Sequence, residues 1–267
     1  MHPLPQYEEL KKIYTFKNSQ VHQVSNNPQL NFFKHLPIGK TLLLKLNDWI
    51  ATTRYKRILR LKKEGSILDI GCSDGHFLNK FDTRSWQIAG VEINKNLAKI
   101  AQDRLKYASV YSSSIESFKT QKSFDVITLW HVLEHLKNPI PVLKKIYKLL
   151  RKNGLLVIEV PNGGSLHRKI FGPYWQLLLA PEHLYFWSKI PLINVLETAG
   201  FKTVRVSYSG IFPFSAASSI ANYLRAKKWN SNLAIGLSII FLPFIIIFNF
   251  FAFNWRENLL IIAQKTR

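Results

Sequence analysis

Residues Ser66–Leu78 read SILDIGCSDGHFL, and this stretch decides the predicted fold. A short apolar run that ends at Ile70 predicts a β-strand, and the loop after it carries Gly71 and Gly75 before a helical pattern begins. Glycines let the backbone approach a ligand closely, and the N-terminus of a helix adds N–H donors and the positive end of its dipole. Ser73 stands where the dinucleotide-binding pattern G-x-G-x-x-G has its second glycine, so the loop departs from that pattern.

Strand-like and helix-like segments alternate after this loop. The strand-like segments are SILDI, WQIAGVE, ASVYS, FDVITLW, GLLVIEV, FKTVRVSYS and NLLIIAQK. Helix-like segments such as NKNLAKIAQDRLKY and PIPVLKKIYKLLRK separate several of them. Strands that alternate with helices imply right-handed βαβ units and a parallel sheet. The sequence therefore predicts an α/β, Rossmann-like, doubly wound sheet.

The same patterns predict how the chain is divided. Residues 1–64 are basic and aromatic with helical periodicity, which indicates an N-terminal helical cap. Residues 65–209 carry the core of the sheet, and the aromatic segment 161–187 within them is predicted to be a lid. Residues 210–256 form a C-terminal apolar helical insertion that is predicted to dock on a membrane, and 257–267 supply the final strand.

Composition narrows the choice of partner and compartment. The 37 Lys and Arg residues against 16 Asp and Glu residues give a net charge of +21, which predicts a polyanionic neighbour such as nucleic acid or an anionic membrane. Cys72 is the single cysteine, so an intramolecular disulfide and a Cys-rich zinc cluster are excluded. The N-terminus lacks the pattern of a secretory signal, so we expect a cytoplasmic protein.

An uncharged segment near the C-terminus, Asn230–Trp255, is long enough to suggest a membrane span. Pro243 lies near its middle and would break a single helix. Each half would reach only about 15 Å, against a hydrocarbon core of about 30 Å. Arg225 and Arg256 flank the segment and suit anionic headgroups. We predict a peripheral or re-entrant hairpin at the inner face of the cell membrane; the alternative is a helical insertion packed on the protein or in a dimer interface.

An acidic residue, Glu92, follows the next predicted strand some twenty residues after Gly71, where a carboxylate can accept hydrogen bonds from ribose hydroxyls. With this acid, the chain resembles the class I S-adenosylmethionine (SAM)-dependent methyltransferases, whose first motif is matched by residues 69–75, DIGCSDG. It is most similar to the subgroup with the ubiquinone-pathway O-methyltransferase and the methyltransferases of bacterial surface-polysaccharide clusters. The resemblance implies a seven-stranded sheet with the last strand antiparallel.

The resemblance also implies which residues bind SAM. The loop would line the methionine end of the cofactor, Asp69 would orient the loop, and Glu92 would hold the ribose. Ser114 and Ile115 occupy the position of an acid near adenine, and Trp130 would lie near the sulfonium. The predicted cofactor-binding residues are Asp69, Gly71, Cys72, Gly75, Glu92, Ser114, Ile115 and Trp130.

The stretch Leu129–Pro139, LWHVLEHLKNP, contains His131, Glu134 and His135 in an H-x-x-E-H pattern that could hold zinc on a helix. Its position after a strand argues against a protease and for a ligand crevice. In the quinone O-methyltransferases an E-x-x-E-H version is associated with a divalent metal. Because His131 replaces the first acid, no metal site is predicted here. His131 and His183 are the predicted catalytic residues, as bases that take a proton from the acceptor.

The function implied is SAM-dependent O-methylation of a small-molecule or lipid-linked, membrane-proximal acceptor, either a glycan or a quinone precursor. The net charge keeps a nucleic-acid methyltransferase as an alternative, although the N-P-P-Y signature is absent after the fourth strand, where WHVL stands. A non-catalytic, membrane-bound SAM-binding module is the third interpretation. We expect an anionic membrane surface rather than nucleic acid as the partner.

Overall fold

The computed structural model describes residues 37–179, 181–209, 213–230 and 256–266, together with the single positions 233, 237 and 240. The strands are β1 (Gly65–Ile70), β2 (Trp86–Glu92), β3 (Ser109–Ser112), β4 (Phe124–Trp130), β5 (Leu150–Pro161), β6 (Phe201–Ser209) and β7 (Asn258–Lys265). The α-helices of the described residues are α1 (Pro37–Leu61), α2 (Lys95–Arg104), α3 (Pro139–Leu149), α4 (Leu166–Phe171), α5 (Lys189–Thr198) and α6 (Pro213–Ala226).

The strands form one seven-stranded sheet in the order β3-β2-β1-β4-β5-β7-β6. The first five strands pair in parallel, and β7 runs antiparallel to both β5 and β6. This confirms the predicted α/β sheet and its antiparallel last strand. The strand order changes direction between β1 and β4, and doubly wound sheets bind ligands beyond the carboxyl ends of their strands at such a point.

Each face of the sheet is covered by helices. Alternate residues of β1 show this: Leu68 belongs to a cluster with Leu143 of α3 and Leu192 of α5, whereas Ile67 belongs to a cluster with Ile58 of α1. The apolar run of β7 follows from the same geometry, because a strand buried on both faces has no solvent side on which to place polar residues. Packing of α1 on the sheet also brings its polar flank to the carboxyl end of β4.

The H-x-x-E-H stretch is not an α-helix. Leu133–His135 form one 3-10 turn, and α3 begins only at Pro139, where proline is favoured in the first turn of a helix. Glu134 and His135 therefore lie in a turn before the helix, not on the helix that a zinc-protease motif needs. Trp130 pairs with Glu159 across β4 and β5, so the turn lies beside a second acid at the same edge of the sheet.

Part of the predicted apolar insertion packs on the body of the protein. In α6, Ser219 and Ala221 are fully buried, and the Ser219 hydroxyl accepts a hydrogen bond from the backbone N–H of Gln176 at 2.9 Å. The predicted membrane hairpin, Asn230–Trp255, lies almost entirely outside the described residues. Within the part of the chain that is described, the structure contains no helix long and apolar enough to cross a membrane.

Candidate active site

The loop after β1 requires glycine at two positions. Gly71 and Gly75 have φ angles of +75° and +76°, in the left-handed region that disfavours other residues. A Cβ atom on Gly71 would lie 2.5 Å from Cγ2 of Val132, and one on Gly75 would lie 2.9 Å from Cδ1 of Leu105. Backbone conformation and close packing therefore both require glycine at these two positions. At Gly71, the close packing holds the loop against the turn after β4.

Glu92 ties this loop to the next helix. Its Oε2 accepts a hydrogen bond from the Ser73 N–H at 2.9 Å, and its Oε1 accepts one from the Asn94 N–H at 2.8 Å. Burial raises the pKa of Glu92, while these backbone donors oppose the rise. A carboxylate oxygen has more than one acceptor site, so Glu92 retains capacity for two ribose hydroxyls.

The side chains of two predicted cofactor-binding residues, Asp69 and Cys72, are buried in the protein. Asp69 accepts a 2.5 Å hydrogen bond from the Thr128 hydroxyl, which links β1 to β4, and burial raises its pKa to about 7. The Cys72 thiol points into the core, where a Cβ on Gly90 would lie 2.6 Å from its sulfur, and burial raises its pKa. Only the backbone of Cys72 can therefore border a cofactor.

The predicted adenine segment and the sulfonium residue also have defined positions. Ile115 is buried in the core, and the Ser114 hydroxyl accepts a hydrogen bond from the Ser117 N–H at 3.2 Å. Trp130 ends β4, and its ring lies under the Arg54 guanidinium, whose central carbon is 4.6 Å from the ring centroid. A cation over an indole face is attracted by the ring quadrupole, which fixes both side chains.

His131 is held between two carboxylates. Its Nδ1 lies 3.3 Å from Glu134 and its Nε2 lies 3.4 Å from Glu159. Burial alone would lower the pKa of His131, but the contacts with these acids outweigh burial and raise it to about 9. Its φ of +57° is rare for a residue with a side chain and shows that the surroundings hold it in place.

The structure brings together a trio that the sequence did not predict: Glu134, His135 and His183, whose ligand atoms all lie within 4.8 Å of one another. Nδ1 of His135 is 3.0 Å from the Glu182 carbonyl, and Nδ1 of His183 is 2.8 Å from the Leu177 carbonyl. Each Nδ1 must then carry the proton, because a carbonyl can only accept. In a neutral His183 ring, Nε2 then keeps a lone pair.

The chemistry of this trio fits a divalent cation. Glu134 is fully buried, and neither of its side-chain oxygens has a hydrogen bond of normal geometry among the described residues, although Nδ1 of His131 lies 3.3 Å from Oε1. Burial would raise the pKa of Glu134, but His131 holds it below the usual value, and burial followed by repulsion from His135 lowers the pKa of His183 to about 4. A carboxylate and two imidazoles are ligands of zinc-type ions. The sequence around His183 did not indicate that this residue would lie beside Glu134 and His135.

Comparisons with known proteins agree with this geometry. Residues 46–206, more than half of the chain, match the family described as a methyltransferase domain. The chain belongs to this methyltransferase family. As a class I methyltransferase, the protein is an enzyme whose cofactor is SAM.

Individual relatives are distant. This methyltransferase is 26% identical to the uncharacterized protein MJ1123 of Methanocaldococcus jannaschii over 60% of its own length and 76% of that protein. It is 27% identical to the ubiquinone biosynthesis O-methyltransferase of Bradyrhizobium diazoefficiens, over 46% of its own length and about half, 51%, of that enzyme. A solved SAM-dependent methyltransferase from Archaeoglobus fulgidus shares the fold, with a TM-score of 0.55 at 23% identity over 81% of this chain and 93% of the other.

Gly71→Ala is expected to weaken binding of S-adenosylhomocysteine (SAH) strongly and to destabilise the methyltransferase by about 1–3 kcal/mol, as overpacking does. The new methyl group would meet Val132 and push the loop away from the cofactor. Gly172→Ala is the matched control, because Gly172 has a φ of +51° but no atom within 4 Å of the place that the methyl group would occupy. Calorimetry with SAH and thermal denaturation measure both effects; equal losses in the two variants would contradict the packing argument.

Proposed function

We propose that this methyltransferase transfers the methyl group of SAM to an oxygen of a lipid-linked or otherwise membrane-proximal acceptor, a glycan or a quinone precursor. The observation that carries the choice of oxygen is the trio of Glu134, His135 and His183 beside the carboxyl end of β4, in which Glu134 and His183 are buried. A neutral amine already has a free lone pair, whereas a hydroxyl must lose its proton. A buried carboxylate beside two imidazoles exceeds what an amine acceptor would need.

Methyl transfer is an in-line displacement at a carbon that the sulfonium already activates, so the protein supplies alignment and removal of a proton. A divalent cation held by Glu134, His135 and His183 would act as a Lewis acid that lowers the pKa of the acceptor hydroxyl. The chain's own residues then shape the site: Trp130 would border one side of the crevice, and His131, whose two ring nitrogens contact Glu134 and Glu159, would hold these carboxylates in place.

The two residues predicted to act as bases, His131 and His183, differ in their ability to accept a proton. With a pKa near 9, His131 is protonated at neutral pH and cannot accept a proton, which argues against its role as the base. We propose that it stays an imidazolium that balances the charges of Glu134 and Glu159. His183 is neutral at pH 7 and keeps the capacity to accept a proton where no cation occupies its Nε2, although its low pKa makes it a weak base.

The membrane-proximal part of the proposal is supported by sequence. Residues Asn230–Trp255 carry no charge, basic residues flank them, and the chain has a net charge of +21. An apolar segment with basic flanks is typical of interfacial association with anionic lipid. We propose that the enzyme is cytoplasmic and associates with the inner face of the cell membrane, where it would meet a lipid-linked acceptor.

Incubation with methyl-labelled SAM and a membrane extract tests the proposal. We expect label in the lipid phase, and release of labelled methyl iodide by hydriodic acid, which cleaves O-methyl groups. Glu92→Ala protein serves as the control without cofactor binding. Label in RNA would favour the nucleic-acid alternative, and label on nitrogen would overturn O-methylation. Retained SAH binding with no transfer to any fraction would favour a non-catalytic SAM-binding module.

A further inference from the structure

The geometry points to an anion site next to the crevice: we propose that Arg57, supported by Arg54 and Arg205, binds a phosphoryl group of the acceptor between α1 and β6. This inference rests on the proposed function and adds a substrate class to it, a phosphate-bearing acceptor. It concerns the flank of α1, outside the cofactor loop and outside the Glu134–His135–His183 trio.

Glu159, near the end of β5, contacts side chains from several elements beside α1. Its Oε1 accepts a 2.8 Å hydrogen bond from the Arg54 guanidinium, and its Oε2 accepts a 2.6 Å hydrogen bond from the Ser209 hydroxyl of β6. Nε2 of His131 also contacts Oε1, at 3.4 Å. Burial would raise the pKa of Glu159, but Arg54 and then His131 hold it well below the usual value. One ionised carboxylate therefore joins α1, β5, β6 and the turn after β4.

Positive charge exceeds negative charge around this carboxylate. The guanidinium groups of Arg54 and Arg57 both lie within 4 Å of this single carboxylate. Arg60 and Arg205 add further repulsion to Arg57, as does Arg54, and burial together with this repulsion lowers the pKa of Arg57 despite the attraction of Glu159. A bound anion would relieve that repulsion.

Arg57 has the donors to bind such an anion. Its Nη1 is 3.7 Å from Oε2 of Glu159, too far for a hydrogen bond, and the guanidinium donates no hydrogen bond to the residues that the structure describes. Its side chain is 27% exposed, so one side still reaches solvent. Arg54, in contrast, is committed to Glu159 and to the Trp130 ring. A partly buried guanidinium with free donors matches the planar, two-pronged recognition of phosphate.

The burial of Arg57 distinguishes it from the cations on the solvated face of the same helix. Lys56 and Arg60 on the same helix are exposed, as surface cations usually are. Arg57 is half-buried and directed toward Glu159 at the edge where β4 ends beside Trp130 and His131. An acceptor phosphoryl group bound there would anchor its neighbouring hydroxyl at the crevice. Several cationic groups around one position favour the doubly charged phosphoryl group over a single carboxylate.

Calorimetric titration of the full-length, SAH-loaded protein with inorganic pyrophosphate tests the site. We expect Arg57→Gln to weaken pyrophosphate binding about tenfold or more, as loss of a charge-assisted contact does, and Lys56→Gln, which removes the same charge from the same helix, to leave it unchanged. SAH affinity should be equal in all three proteins, which shows that they are folded. No binding by the wild type, equal weakening in both variants, or equally tight binding of malonate would overturn the inference.

Vesicles distinguish a lipid-linked phosphate from a soluble one. Wild-type protein and Lys56→Gln should sediment with phosphatidylcholine vesicles that contain an isoprenyl phosphate more than with plain vesicles, and Arg57→Gln should lose that difference. Pyrophosphate binding without this preference would support the anion site and overturn a lipid-linked source. The two proposals fail separately: transfer to the oxygen of a lipid without phosphate removes only the anion site, whereas Arg57-dependent pyrophosphate binding with label on nitrogen removes only O-methylation.

Discussion

Glu92→Ala is expected to lower the affinity for SAH by at least about 100-fold, since each hydrogen bond to a charged group contributes about 1.5–3 kcal/mol and two ribose hydroxyls would lose their acceptor. The substitution also releases the N–H groups of Ser73 and Asn94, both of which bond the carboxylate in the structure. Calorimetric titration with SAH measures the loss directly. Turnover should fall in parallel when SAM is below saturation.

Glu197→Ala is the matched control for this experiment. Glu197 is an exposed acid on α5, far along the chain from the glycine loop, and it loses the same carboxylate. We expect its SAH affinity and its thermal stability to equal those of the wild type. If Glu92→Ala bound SAH as tightly as Glu197→Ala, the carboxylate would have no role in holding the cofactor, and the ribose assignment would have to be withdrawn.

Glu134→Gln is expected to abolish tight binding of one divalent cation, and with it most of the methyl transfer to a hydroxyl. The amide is neutral, and loss of a direct ligand should exceed the about 10- to 100-fold weakening that loss of an outer-shell partner causes. Co²⁺ is a useful probe because its visible absorption reports ligand number and geometry. We expect the wild type to give a spectrum of a low-coordinate site with nitrogen ligands.

Three comparisons make the metal prediction specific. His183→Asn should weaken Co²⁺ binding as Glu134→Gln does, because both residues belong to the buried trio. Glu197→Gln should leave Co²⁺ binding unchanged. His131 should titrate at a lower pH in Glu134→Gln than in the wild type, since one of its two carboxylate partners is lost. A wild-type protein that binds no Co²⁺, or variants that bind it equally well, would contradict the assignment.

Much of the fold was predictable because its signals are local. The apolar runs of the strands, the glycines after β1 and the acid after β2 each lie within a few residues of the element they specify. Gly71 and Gly75 illustrate this, since tolerance of a positive φ is a property of glycine itself. The predicted strand set and the antiparallel last strand were confirmed, and so was the methyltransferase family.

Side-chain direction was harder to predict. Cys72 and Asp69 lie in the predicted loop motif, yet the structure turns the thiol toward Gly90 and pairs the carboxylate with Thr128. Periodicity states which backbone segment borders the crevice but does not state which way a residue in a turn points. Glu159 was missed as well, although an ionisable residue inside the apolar run GLLVIEV was a signal that it has a buried partner.

By itself, the sequence determined the order of strands and helices, the glycine loop, the acid at the end of β2 and the cofactor class. It did so because backbone demands and apolar periodicity are encoded in neighbouring residues. Only the tertiary structure decided the surroundings of LWHVLEHLKNP: Glu134 and Glu159 raise the pKa of His131 to about 9, and His183 lies beside Glu134 and His135. The charge of a histidine depends on burial and on partners that are remote in the chain, and folding alone brings those partners together.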